Sequence, residues 1–271
     1  MYELSFISLL ALCMVSFIGV PHGSFDGAVA ALLGYKTRKD FFIFVTLYLI
    51  ISAAVIVFWI YFPLISLFLF ISMSVIHFGL CDWSYLELNK YKWSISLTHG
   101  LNIVFGIIFF HTNETFEIFV FLSNSSFNQL KEYLPIVYLC YLFLLLRYFY
   151  LAYKIPKLRW GLLEILFLLL VIYFNEPLVG FSIYFCFIHT FKHIRSILKD
   201  TSKYLSNNKF VTVTTVAFTV LTWIGGCLAI IYLYNNYSFE ESFIKTLFIG
   251  LAALTLPHMT LVDIFYRKKF N

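Results

Sequence analysis

Residues 177–196 read PLVGFSIYFCFIHTFKHIRS. The first twelve carry no charge, and at ~1.5 Å of rise per residue the whole stretch spans a hydrocarbon core of about 30 Å. It opens on Pro177, a residue suited to the first turn of a helix, and closes on the basic Lys192 and Arg195. His189 and His193 stand four apart, so on a helix they share one face and both rings can reach one ion. Ionisable groups inside a bilayer are costly, and each asks for a reason. The stretch therefore reads as a membrane helix that carries a site.

The remainder of the 271 residues agrees. Hydrophobic residues make up 61% and charged residues 12%, with a mean hydropathy of +0.87. A water-soluble fold of this size cannot hide so much apolar surface, which excludes a cytosolic globular enzyme. Disorder needs the opposite composition. Runs of membrane-crossing length fall at 3–22, 41–62, 63–82, 94–111, 133–152, 160–176, 177–196, 210–234 and 242–265. Connections are short, and the longest, around 112–132, leaves no room for a soluble domain. The expected fold is all-α: one polytopic transmembrane bundle over residues 1–271, of about nine spans. The opening Met1-Tyr2-Glu3 lacks the basic region of a cleavable signal. The five cysteines are scattered singly, against a disulfide framework or a thiolate metal site.

Charge sets the orientation. With loops alternating sides, seventeen of the nineteen basic residues fall on one side, and only Lys131 and Lys245 fall opposite. The positive-inside rule places the seventeen in the cytoplasm, the N-terminus outside and the C-terminus inside. That asymmetry also accounts for the net charge of +5 without a nucleic-acid partner.

The histidines add depth to this picture. Counted along their spans, His22, His77, His99, His189, His193 and His258 lie ~18–27 Å from the outer face. His111 alone sits near that face and reads as an ordinary interfacial residue. Any one of the six, taken singly, is best explained as a helix histidine bonded to a carbonyl. Six in one layer, from five spans, point instead to a metal, since imidazole suits iron, copper and zinc. His22 and His258 each follow a proline, and such kinks can aim a ring inward. Gly23 reads as a point where a helix or ligand comes close. Asp26, four residues after His22, shares its face on an α-helix and could orient that imidazole. Asp82 and Asp263, five residues after their histidines, read as span ends. Glu164 is either a further partner or a snorkelling end residue.

The segments Pro21-His22-Gly23-Ser24-Phe25-Asp26, His77-Phe78-Gly79-Leu80-Cys81-Asp82, Thr98-His99-Gly100, Tyr184 through His193, and Leu256-Pro257-His258-Met259 resemble the Brp/Blh family. Those proteins are membrane β-carotene 15,15′-dioxygenases related to the bacteriorhodopsin-related protein. The motifs arrive in the family's order from residue 21 to residue 263. The resemblance implies a non-haem Fe(II) enzyme of the inner (plasma) membrane. It cleaves β-carotene with O2 at the central double bond into two all-trans-retinal, the chromophore of a microbial rhodopsin. It implies iron held by His22, His77, His189 and His193. His99, His258 and Asp26 then stand behind those ligands, orienting one of them or lining the substrate tunnel. Phe191 stands where the family has the first residue of a basic pair.

The residues agree with that chemistry. β-Carotene has no group to bind a metal, so four imidazoles leave up to two of six positions for O2. Three other readings compete. A membrane di-metal hydroxylase or desaturase needs eight or more histidines. A retinal-binding rhodopsin needs a lysine deep in the last span, whereas Lys245 lies at the outer margin. A transporter relaying protons or metal ions through lined histidines is the main alternative, and iron with O2 consumption separates it from an enzyme.

Overall fold

A computed structural model describes residues 4–35, 37–83, 91–125, 131–204 and 208–262, and every regular element among them is helical. Helix α1 (Phe6–Met14) starts at Ser5, whose hydroxyl accepts the Ser8 N–H at 3.0 Å. It passes into a π-helical turn over Val15–Gly19 and a 3-10 stretch over Val20–Phe25, then into α2 (Asp26–Leu33). Pro21 has no N–H for an α-helical ladder, so the chain changes pitch around it. The column ends at Gly34, whose φ of +113° is open to glycine.

Next come α3 (Arg38–Tyr61) and α4 (Pro63–Asp82), joined at Phe62. They are followed by α5 (Lys92–Phe110), α6 (Thr112–Ser123), α7 (Leu134–Lys154) and α8 (Leu158–Phe174). Then α9 (Pro177–Ile183) runs through a second π turn, Tyr184–His189, into α10 (Thr190–Tyr204). The last two are α11 (Asn208–Leu233) and α12 (Phe239–Met259). A capping box between Ser238 and Glu241 opens α12, and its far end becomes π-helical over 260–262.

Seven of these columns are long and apolar enough to cross a membrane, the first being Phe6–Leu33 and the last Phe239–Val262. The architecture is that of a helical membrane bundle. Its outer faces carry exposed Leu49, Ile50, Leu142, Leu228 and Ile231, a surface suited to hydrocarbon rather than water. The two remaining expected runs fall on α8, of 17 residues, and on the broken column from α9 to α10.

The structure adds detail at two of these places. The connection around 112–132 contains a helix, α6, because Phe116 and Leu122 supply an apolar face that the core buries. No neighbouring helix comes close at Gly23, since a Cβ there would meet no protein atom within 4 Å. The tight contacts lie elsewhere. A Cβ on Gly79 would stand 2.0 Å from the Ser96 carbonyl oxygen, and one on Gly100 would stand 1.8 Å from that of Val75. Both are backbone atoms, which cannot swing aside. Helices α4 and α5 thus meet backbone to backbone through two glycines, as small residues permit in membranes. That contact sets the height and rotation of His77.

Alanine at Gly79 or Gly100 must therefore push α4 from α5. A loss of ~1–3 kcal/mol or more is expected, read as a lower thermal midpoint in detergent. Gly23→Ala should leave that midpoint nearly unchanged. Equal midpoints for all three variants would contradict the packing.

Candidate metal centre

Five imidazoles from four parts of the chain converge. His22 comes from the 3-10 stretch after the first π turn, and His77 comes from α4. His189 ends the second π turn, His193 follows on α10, and His258 sits beside Pro257 near the end of α12. All five are buried, the most exposed being His22 at 7%. π turns recur at functional sites, and here each of the three lies within a few residues of one of these histidines.

Ligand atoms of His22, His77 and His189 lie within 4.8 Å of one another. Ring centroids are 5.1 Å apart for His22 and His189 and 5.0 Å for His77 and His189. His193 joins at 5.3 Å from His22 and 6.1 Å from His189. His258 joins at 5.3 Å from His22 and 5.0 Å from both His77 and His193.

What holds the rings matters as much as where they lie. His189 donates from Nδ1 to Asp82 Oδ1 at 2.9 Å, and Tyr184 donates its hydroxyl to Asp82 Oδ2 at 2.7 Å. His258 Nδ1 meets Asp26 Oδ1 at 2.7 Å, and Tyr48 donates to Asp26 Oδ2 at 2.9 Å. His22 Nδ1 meets the carbonyl of Gly19, and His193 Nδ1 lies 3.3 Å from Cys81 Sγ. In His22, His189, His193 and His258, then, Nδ1 has a partner that fixes the ring, which leaves Nε2 as the nitrogen to offer a metal. The Nε2 of His193 is buried with no hydrogen-bond partner among the described residues. Such an orphan costs ~1–3 kcal/mol, which coordination would relieve. The donor set and its orientation fit a metal that prefers imidazole.

A second group able to hold an ion is Cys81, Asp82 and His189. It competes poorly, because Asp82 already accepts from both His189 and Tyr184.

The residues singled out from the sequence divide accordingly. His99 shares the depth of the others but not their place: it stacks on Trp83 at 3.6 Å and meets Tyr148 edge-on at 5.0 Å. Glu164 pairs with Lys192 at 2.6 Å, and Lys192 lies 4.4 Å over Trp83. Asp26 orients an imidazole, but that of His258 rather than His22. A four-residue step in 3-10 geometry turns side chains about 120° apart, so the shared face of an α-helix is lost. Asp82 is no mere span end: it is 2% exposed and bonded across helices. Asp263 lies outside the described residues. His111 meets the Ile172 carbonyl at 2.8 Å, far from the cluster in sequence and partners alike. Lys245 is buried, with its ammonium on the Phe121 carbonyl at 3.1 Å. Tyr184 and Cys81 stand inside the motifs with no role assigned to them by the sequence, and Tyr48 lies in none of the motifs.

Comparisons with known proteins span the whole of this cluster. The model of a family described as β-carotene 15,15′-dioxygenase matches residues 13–266. A β-carotene 15,15′-dioxygenase of an uncultured marine bacterium, 66A03, is 30% identical over 268 residues, 97% of this chain and 96% of the relative. No solved structure matches. The matched stretch takes in all five converging histidines and both buried aspartates, and the chain belongs to the β-carotene 15,15′-dioxygenase family.

Proposed function

We propose that this protein is a membrane dioxygenase that splits β-carotene with O2 at the central 15,15′ double bond. The products are two retinal molecules, and a non-haem Fe(II) is held by His22, His77, His189 and His193. The observation that carries the reading is a buried imidazole cluster inside a nearly full-length match to a family named for this reaction.

Bound iron supplies activation of O2, which carbon–carbon double bonds do not achieve alone. The chain's own residues do the rest. Asp82 accepts a hydrogen bond from the Nδ1–H of His189 and the Gly19 carbonyl accepts one from that of His22, so both neutral rings keep the proton on Nδ1 and present the Nε2 lone pair. Phe185 packs against His22 at 5.2 Å and Phe78 against His189 at 4.9 Å. These rings keep water from the cluster and present apolar walls to a polyene.

Position decides which bond is cut, because no polar group marks one polyene bond from the next. Two apolar cavities are lined by residues that contact or support the cluster. One, of ≈ 90 Å³, runs along Phe70, Ser74, Phe78 and Phe181. Its Phe78 wall touches His77 and His189. The other, of ≈ 280 Å³, is lined by Phe44, Tyr48, Pro257 and Leu261. Its Tyr48 holds Asp26 behind His258. Apolar walls beside residues that touch or support the histidines suit a long apolar rod. Such a substrate enters laterally from the bilayer. His99, stacked under Trp83, supports the fold around α5 and does not reach the iron. A microbial rhodopsin is the natural consumer of the retinal.

In the membrane the chain has nine spans, with the first column entering from outside and the C-terminus in the cytoplasm. Support comes from the charge asymmetry and from the helical columns on all nine apolar runs. A reporter active only in the cytoplasm should work when fused after Asn271 and fail when inserted near Asn124. Activity at both positions would contradict the orientation.

Cells that accumulate β-carotene should lose colour and gain retinal on expression, with one O2 consumed per carotene and no electron donor. Alanine at His22, His77, His189 or His193 should abolish cleavage and lower bound iron, whereas His111→Ala should stay near wild type. Apo-10′-carotenal as main product would overturn the regiochemistry, and full iron in the His77 variant would overturn the ligand set.

A further inference from the structure

The geometry points to His258 as a fifth nitrogen donor to the same metal, aimed by Asp26 and Tyr48. This rests on the reading of the cluster as a metal centre and goes beyond its four-histidine form.

Three observations carry it. The first is separation. Two imidazoles bound at about 2.1 Å to one ion place ring centroids roughly 4.5 Å apart when adjacent and roughly 6.4 Å apart when opposite. His258 stands 5.0 Å from His77, 5.0 Å from His193 and 5.3 Å from His22. Those distances match the 5.0–5.3 Å among His22, His77, His189 and His193 where they neighbour one another. On distance alone, His258 is no further out than His193.

The second is the support behind the ring. Tyr184, Asp82 and His189 form a chain with steps of 2.7 and 2.9 Å. Tyr48, Asp26 and His258 repeat it with steps of 2.9 and 2.7 Å. Asp26 is 0% exposed, and a carboxylate taken wholly out of water in an apolar bundle needs a cationic or strongly donating partner. Carboxylates behind metal-bound imidazoles hold the ring orientation and raise its basicity. A device that appears twice, once behind His189, does the same work behind His258.

The third is the backbone. Pro257 removes an N–H from α12 next to His258, and the helix turns π-helical over 260–262. His189 is the last residue of a π turn, and His22 follows another by three residues. A histidine that only filled space would need no such departure from α geometry. Five donors leave one of six positions, enough for O2, since β-carotene contributes no ligand atom.

The test uses the purified full-length protein stripped of metal and reloaded with Co(II) alone. Its visible absorption reports the number and type of donors. The wild type should bind one Co(II) per chain. His258→Ala should change that spectrum and weaken Co(II) binding by more than the ~10–100-fold expected for loss of an orienting partner. Asp26→Asn should stay within that lesser range and keep the wild-type spectrum. His258→Cys should add a thiolate-to-cobalt charge-transfer band absent from the wild type, and it answers the question even if the alanine variant fails to fold. A His258→Ala protein with wild-type spectrum and affinity, or a His258→Cys protein without the new band, overturns the fifth ligand and spares the metal centre. A wild type that binds no Co(II) overturns the metal centre itself.

Discussion

The structure depends on the hydrogen bond between His189 Nδ1 and Asp82 Oδ1, 2.9 Å long and fully buried. An ionised carboxylate in so apolar a setting is stable only when its lone pairs are taken up. Asp82 satisfies that by accepting from His189 on one oxygen and from Tyr184 on the other. In return it fixes which nitrogen of His189 carries the proton, and so which nitrogen faces the other rings. The Asp26, Tyr48 and His258 set obeys the same constraint. Ring orientation and the choice of donor atom are therefore one arrangement, and removing the acceptor oxygen of either aspartate would free an imidazole to turn.

Holding these rings in place falls to irregular backbone and to tight helix contacts. Regular α-helices would carry His22, His189 and His258 at rotations set by 3.6 residues per turn. The π and 3-10 segments rotate them away from those settings and into a common centre. Opposite them, α4 is fixed against α5 by Gly79 and Gly100 at backbone contact, which holds His77 at the height of the other rings. Flexibility is confined by this packing, as a site that must discriminate by position alone requires.

Much of this was legible from residues 1–271 before any coordinates. Apolar run lengths located the helical columns, and depth along them gathered His22, His77, His189, His193 and His258 into one layer. Depth is a single coordinate, however. It could not separate His99, which has the right height but stacks on Trp83 and meets Tyr148 edge-on. The pairing of Asp26 with His22 failed because the four-residue rule presumes α geometry, and Val20–Phe25 is 3-10. Asp82 and His189 are 107 residues apart, and no local spacing announces such a bond. Tyr48 was hidden among nineteen tyrosines, and Tyr184 stood inside a motif with no role assigned to it; both are distinguished by what they touch.

The central claim is that one metal ion sits among imidazoles and not at the neighbouring group of Cys81, Asp82 and His189. X-ray absorption at the iron edge of the purified protein tests it most directly. The account predicts one iron per chain with only nitrogen and oxygen neighbours at about 2.0–2.2 Å and the outer-shell scattering of several imidazole rings. A sulfur neighbour at about 2.3 Å, or a spectrum without imidazole scattering, would contradict it.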